Sequence, residues 1–277
     1  MNQNMLYGIV LLSAIGHASW NALLKGTPDR LVMMVAIRIV GLFYGFILLL
    51  FAGMPSIESL KWVVAAATAM WVYQGLLVQS YNFGDLSFVY PLARGVAPVI
   101  LTGSAFVLLK ESLSLPQLLG VLSISLGIGT LALLGHGSLI ALIYASLIGL
   151  SVAAYSLLSG AGVRLSGNLF GFSAVLEIAS GLGFLLYATI ARGRSFVSSL
   201  FAIWPRGLGA GLLSAVGYLA FLVAVIRLPI GPVSAIRECS ALFGVLIGIF
   251  IMKEPFAAAR AAGGLLMTCG IIALSWF

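Results

Sequence analysis

The chain has 277 residues, 62% of them hydrophobic and only 8% charged, with fourteen bases against seven acids and a net charge of +7. A soluble domain devotes about a quarter of its residues to charge, and so few ionic groups cannot cover a body of this size, so lipid must cover most of it. The basic excess does not point to nucleic acid, because no cluster of Lys and Arg with interleaved aromatics occurs, and membrane headgroups are its expected partners.

A helix needs roughly 20 mostly apolar residues to cross about 30 Å of hydrocarbon. Ten such runs occur, at 5–24, 31–51, 61–80, 87–109, 115–134, 138–158, 170–191, 207–226, 229–252 and 257–276. The expected fold is an all-α membrane protein of about ten transmembrane helices. The first run has neither a basic segment before it nor a small-residue cleavage site after it, and reads as a retained span. Its Ser13, His17 and Asn21 recur at four-residue spacing beside Trp20, a polar stripe that should face protein or a cavity. Span 2 holds Arg38 and the GxxxG pair Gly41/Gly45. Span 3 holds Trp71 and Gln74, which we read chiefly as helix–helix hydrogen-bonding groups.

In span 4, Arg94 lies between Pro91 and Pro98 on one helix face, continued by Tyr90 and Ser87. Each proline frees a carbonyl that lipid cannot satisfy, so this face should line protein or a wet cavity. Ser114 and Gln117 read as a capping box that opens span 5. Span 6 carries the stripe Ser151, Tyr155 and Ser159, and span 7 a lone Glu177. Gly207/Gly211 and Gly244/Gly248 are further GxxxG pairs, in spans 8 and 9, suited to close packing of helices. Span 9 also contains Arg237 and Glu238, which project about 100° apart and should not simply pair with each other. Cys239 and Cys269 sit inside apolar runs and read as small buried hydrophobes rather than a disulfide. Turn residues such as Gly26-Thr27-Pro28-Asp29, Gly53-Met54-Pro55-Ser56 and Gly135-His136-Gly137 punctuate the spans.

No loop is long enough to form a domain, and no GxxxxGK[ST] segment exists, so active transport would have to draw on a gradient. His17 and His136 make no plausible metal set, and no cofactor is expected. The absence of HExxH, GxSxG and a carboxylate cluster argues against an enzyme.

An internal repeat is the most informative feature. At a single offset of 143 residues, Arg94 falls on Arg237, Lys110-Glu111 on Lys253-Glu254, Gly120 on Gly263 and Gly127 on Gly270. Charged residues are too rare here for those coincidences to be chance. The chain therefore divides into 1–136 and 137–277, each a five-helix unit, and an odd number of spans per unit gives the second unit the opposite orientation.

On these features the chain resembles the EamA-type permeases of the drug/metabolite transporter superfamily. The doubled five-span layout and the two Lys-Glu junctions, each followed by paired glycines, carry the resemblance over essentially its whole length. The segment His17-Ala18-Ser19-Trp20-Asn21, ending in Lys25, is further similar to a subgroup of permeases associated with phosphonate utilisation. The resemblance implies a helical basket with a central cavity, alternating access, and substrates such as amino acids, nucleotide sugars and quaternary amines.

An ionised group inside a span costs about 2.5–3.5 kcal/mol on insertion scales, so Arg38, Arg94, Glu177, Arg237 and Glu238 each need a reason. In one reading Arg94 and Arg237 clamp a carboxylate or phosphonate, for which guanidinium geometry is suited. In the other, Glu177 or Glu238 neutralises them as structural ion pairs. Tyr90, His17, Trp20, Asn21, Gln74 and Tyr155 are the further candidate substrate contacts, and Glu177 and Glu238 the candidate carriers of a coupling proton. The expected function is a secondary transporter, in the inner or plasma membrane, of a small anionic or zwitterionic metabolite such as an amino acid or organophosphonate. The alternatives are broad efflux of amphipathic compounds and a membrane scaffold. Counting bases by loop places both termini outside, whereas the superfamily resemblance implies that both are cytoplasmic.

Overall fold

A computed structural model of the chain describes residues 2–80, 86–132, 138–193, 196–243 and 258–276. These contain α1 (Gln3–Lys25), α2 (Arg30–Ala52), α3 (Ile57–Ser80), α4 (Leu86–Leu109), α5 (Leu115–Ala132), α6 (Leu139–Leu165), α7 (Leu169–Arg192), α8 (Phe196–Val225), α9 (Ile230–Glu238) and α10 (Ala258–Trp276). No strand occurs among the described residues. The polarity is inside out relative to a soluble protein: Phe51 is 87% exposed while Arg94 is 1% exposed. Seven of the helices are long and apolar enough to cross a membrane. The chain is a helical integral membrane protein.

The helix starts follow local capping chemistry. Asn2, Asp29, Ser138 and Asn168 each accept a backbone N–H of the first turn of α1, α2, α6 and α7. The expected capping box opens α5: Ser114 N–H donates to Gln117 Oε1 at 3.1 Å and Gln117 N–H to Ser114 Oγ at 3.4 Å.

Three elements differ from expectation. Helix α6 runs past 158 to Leu165, and Gly160 and Gly162 in this extension are places where other helices press. A Cβ at Gly160 would lie 2.4 Å from Ile230, and one at Gly162 2.5 Å from Trp62. Helix α8 begins at Phe196 rather than 207 and contains Pro205. The carbonyl that this proline leaves without its donor belongs to Phe201, in an exposed turn. Helix α9 stops at Glu238; Cys239 forms a turn, and helix resumes over Ser240–Phe243. Here Cys239 N–H bonds Ile236 O at 3.2 Å and Leu242 N–H bonds Cys239 O at 2.9 Å, the tighter three-residue step. The rest of the ninth run lies outside the described residues, as do Gly244/Gly248, Lys253-Glu254 and His136. Cys239 is buried as expected, but Cys269 is exposed. Its side of α10 points away from α5, so hydrophobicity there serves the outer surface rather than the core.

Small residues set how closely the helices approach. Gly41 and Gly45 of α2 face Glu177, Ala174 and Ile178 of α7, and Gly207 and Gly211 of α8 face Ala36 and Val40 of α2. Helices α5 and α10 meet through glycines on both sides: Cβ atoms at Gly127 and Gly270 would each lie 2.7 Å from a carbonyl, of Gly263 and Gly120 respectively.

One end of the bundle is stitched by polar groups. Lys110 takes a left-handed conformation (φ 57°) at the end of α4, which turns the chain so that Glu111 N–H reaches Ala105 O at 3.2 Å. The Glu111 carboxylate then accepts from Arg164 Nη1 at 2.5 Å and from the Ile230 N–H that starts α9 at 2.9 Å. Arg164 also donates to Val225 O and Leu228 O at the end of α8. Nearby, Asn168 Nδ2 donates to Ala52 O, and Ser56 N–H to Ser166 O. At the other end Arg192 pairs with Asp29.

The α5–α10 contact yields a stability prediction. Gly127→Val should lower stability by about 1–3 kcal/mol through overpacking, measured by thermal unfolding in detergent. Gly129→Ala, two residues along the same helix with nothing within 4 Å of its added Cβ, should be close to neutral or slightly stabilising.

Candidate functional site

Helices α1, α2, α3, α6, α7, α8 and α9 each bring side chains to one cavity of about 60 Å³. Its polar lining includes Ser13, His17, Arg38, Gln74, Glu177 and Arg237, and its aromatic lining Trp20, Tyr73, Tyr155 and Tyr218. These residues lie well inside the helix ends, so water reaches this depth only through the protein.

The buried charges form two clusters. In the first, Arg94 Nη1 donates to Glu238 Oε2, and Arg237 donates to Glu238 Oε1 through Nη2 at 3.1 Å and Nε at 3.4 Å. One carboxylate, fully buried, thus serves two guanidinium groups. Arg237 Nη2 also reaches Ser156 Oγ at 3.1 Å and Tyr155 OH at 3.4 Å. Its guanidinium carbon lies 4.3 Å from the ring centroid of Phe221, a cation–π contact that fixes the plane of the fork. Arg94 Nη2 contacts His17 Nε2 and lies 3.5 Å from Tyr73 OH. Trp20 Nε1–H donates to His17 Nδ1 at 3.2 Å. The indole N–H is a donor only, so Nδ1 accepts from Trp20, and the two rings pack edge-on with centroids 4.9 Å apart.

In the second cluster, Arg38 Nη1 lies 3.5 Å from Glu177 Oε2 and donates to Ser180 Oγ at 3.3 Å, while Nη2 donates to Ser214 Oγ at 2.9 Å. Gln74 Nε2 reaches the same Ser180 hydroxyl at 3.4 Å. Gly41 is required here, since a Cβ would lie 2.6 Å from Glu177 Oε2. The buried atoms Arg38 Nε, Gln74 Oε1 and Glu177 Oε2 have no hydrogen-bond partner among the described residues.

Of the residues singled out from sequence, His17, Trp20, Gln74, Tyr155, Glu177 and Arg237 line this cavity. Arg94 and Glu238 lie behind Arg237 and are not among the lining residues. Asn21 turns back on its own helix, donating to His17 O at 2.7 Å, and the side chain of Tyr90 lies outside the described residues. One expectation is corrected: Arg237 and Glu238 do pair, because the long arginine side chain swings back over the 100° between adjacent helical positions. The helix–helix role expected for the stripes holds for Trp71, which donates to Ala179 O at 3.3 Å, and for Ser159, which accepts from Tyr218 OH at 2.8 Å. Tyr73, Ser214 and Tyr218 were not singled out. The spacing of Ser214 and Tyr218, four residues apart on span 8, was the available signal.

No protein-family profile matches the chain. It is 27% identical over 131 residues to an uncharacterised protein of Methanocaldococcus jannaschii, a match that covers 46% of this chain and 95% of that one. That relative is therefore about half as long. A protein crystal structure aligns over 98% of this chain and 95% of its own with a TM-score of 0.76 at 15% sequence identity, so the fold recurs among solved proteins.

The burial of the first cluster makes its removal costly. Arg94→Gln leaves a buried carboxylate short of one partner and should cost about 3–5 kcal/mol. Arg192→Gln, which breaks the half-exposed pair with Asp29, should cost at most about 1 kcal/mol. Parallel unfolding curves in one detergent read both.

Proposed function

We propose that this chain is a secondary transporter of a small anionic or zwitterionic metabolite, such as an amino acid or organophosphonate, and not an enzyme. We assign it to the inner or plasma membrane and to the EamA-type permeases of the drug/metabolite transporter superfamily, as a bundle of ten spans. The carrying observation is the charge of the interior. Among the described residues, Arg38, Arg94 and Arg237 are buried with only Glu177 and Glu238 as buried acids, and two of the three arginines line one cavity. An excess guanidinium charge at that depth is stabilised by an anion from outside the chain. The clamp that this favours is Arg38 with Arg237, with Arg94 acting through Glu238.

Alternating access is the mode of action we infer, from two five-helix halves, 1–136 and 137–277, in inverted orientation. Reciprocal contacts support the duplication. Gly120 meets Gly270 and Gly127 meets Gly263, so each member of one repeat pair touches the counterpart of the other, as a two-fold axis requires. Ser123 Oγ donates to Leu266 O at 2.8 Å across a separation of 143, the repeat offset itself. Helix packing is reciprocal too: α1 with α8 and α3 with α6, α2 with α8 and α7 with α3, while α2–α7, α4–α9 and α5–α10 pair across the axis. A relative of half the length fits a duplicated unit. The cavity is far smaller than the about 300–1,000 Å³ of a ligand cleft, as in a closed conformation that opens when helices slide at their glycine contacts. Glu177 or Glu238 would carry the coupling proton.

Broad efflux of amphipathic compounds is the second reading, favoured by the aromatic lining and by the pairing of Arg94 and Arg237 with Glu238. Purified protein in liposomes, assayed with labelled amino acids, an aminoalkylphosphonate and a lipophilic cation, separates the two. We expect uptake of an oxyanion-bearing solute, reduced at least tenfold by Arg237→Gln and by Arg38→Gln. Transport of the cation alone, unaffected by either change, would overturn the proposal.

A further inference from the structure

We propose that Glu238 is a tethered competitor for the transported anion: its carboxylate occupies Arg237 in the empty carrier, and an oxyanion binds there together with a proton that goes to Glu238. This rests on the transport reading above. The geometry is that of an anion site already filled from within. Glu238 spends both oxygens on guanidinium donors, Oε2 on Arg94 and Oε1 on Arg237. Of Arg94, Glu238 and Arg237, Arg237 is the one that lines the cavity, so it stands between the internal carboxylate and any solute. Its Nη1 makes no hydrogen bond among the described residues, while Tyr155, Ser156 and the ring of Phe221 hold the rest of the fork in place. An entering oxyanion therefore meets a fixed, partly unused donor edge.

Two anions on one guanidinium repel strongly where the dielectric is low. Protonation of Glu238 removes that repulsion, so that the oxyanion takes the Nη1 donor and the full guanidinium charge while Ser156 and Tyr155 keep Nη2 in place. The interior charge is then the same in both states: the proton neutralises Glu238 as the monoanion arrives. The cost of moving a charged interior past lipid is thereby equal for empty and loaded carrier. When the proton leaves on the far side, Glu238 reclaims Arg237 and expels the anion, which is symport of one proton per anion.

Glu177 is less suited to this exchange, because it faces Arg38 rather than Arg237. The groups around Glu238 bear on its titration. Arg94 comes from α4, His17 from α1 through Arg94, Tyr73 from α3, Tyr155 from α6 and Tyr218 from α8. Arg237 and the Cys239 thiol belong to its own segment, and α5 contributes no titratable side chain.

The test is proton uptake on binding, with the purified full-length chain in weakly buffered detergent, a pH indicator, and acetate and glycine as probes between about pH 6 and 8, where both carboxylates stay ionised. Wild type should take up about one proton per probe bound, with affinity rising toward tenfold per unit fall in pH. Glu238→Gln should bind without proton uptake and without pH dependence, and Glu238→Asp should keep both. Should Glu238→Gln fold poorly, the double change Arg94→Gln/Glu238→Gln removes one charge of each sign and is expected to behave as Glu238→Gln does. Wild type that binds a probe with no proton uptake, or a Gln variant that retains it, overturns the exchange while leaving anion transport standing. Wild type that binds neither probe at any pH overturns both.

Discussion

A guanidinium group cannot be neutralised by losing its proton, and in hydrocarbon it cannot be left to water. Three of them inside this bundle therefore dictate where the carboxylates, hydroxyls and aromatic faces must be. Glu238 is placed between Arg94 and Arg237, Ser156 and Tyr155 fill further donors, and Phe221 covers one face. Arg38 recruits Glu177, Ser180 and Ser214 from two other helices. The helices around the cavity are tied to one another by these groups, since an apolar contact between two helices tolerates sliding and a directed hydrogen bond does not.

The same network needs room, and glycine supplies it. The Glu177 carboxylate fits against α2 only because position 41 has no side chain, and Trp71 reaches Ala179 over Gly183, where a Cβ would lie 2.0 Å from the indole. Close backbone approach is the main source of attraction between helices in lipid, where no hydrophobic force draws them together. The glycines thus set the spacing and the arginines tie the helices to one another.

Much of this was legible in the sequence. Apolar run length placed most helix ends to within a few residues, because hydrocarbon thickness fixes the length a span must have. The ends that differ are those of α6, which runs on through Gly160 and Gly162 where other helices press, and α8, which begins before Pro205. Rarity marked the five buried charges, but rarity says nothing about partners. That Glu238 serves both Arg94 and Arg237 depends on how far α4 stands from α9, which no local pattern in the sequence records. Adjacent residues were expected to diverge, an argument that holds for Cβ vectors and fails for a side chain as long as arginine. Tyr218 and Ser214 escaped notice because a hydroxyl is not costly enough to stand out in an apolar helix.

Within the proposed duplication, Glu238 has a particular standing. Its counterpart at the repeat offset is Gly95, which packs against Ser125 O and Gly129 N of α5, so two equivalent arginines share one carboxylate that the first half does not possess. A single side chain cannot obey a two-fold axis. If the halves exchange conformations during transport, the backbones can do so symmetrically, but Glu238 travels with α9 alone, and the break at Cys239 immediately after it gives that segment a place to bend. The carboxylate must then meet Arg94 and Arg237 in different geometry on the two sides of the membrane. In the proposed exchange it is the joint binding of anion and proton at this one carboxylate that would couple the solute to a gradient.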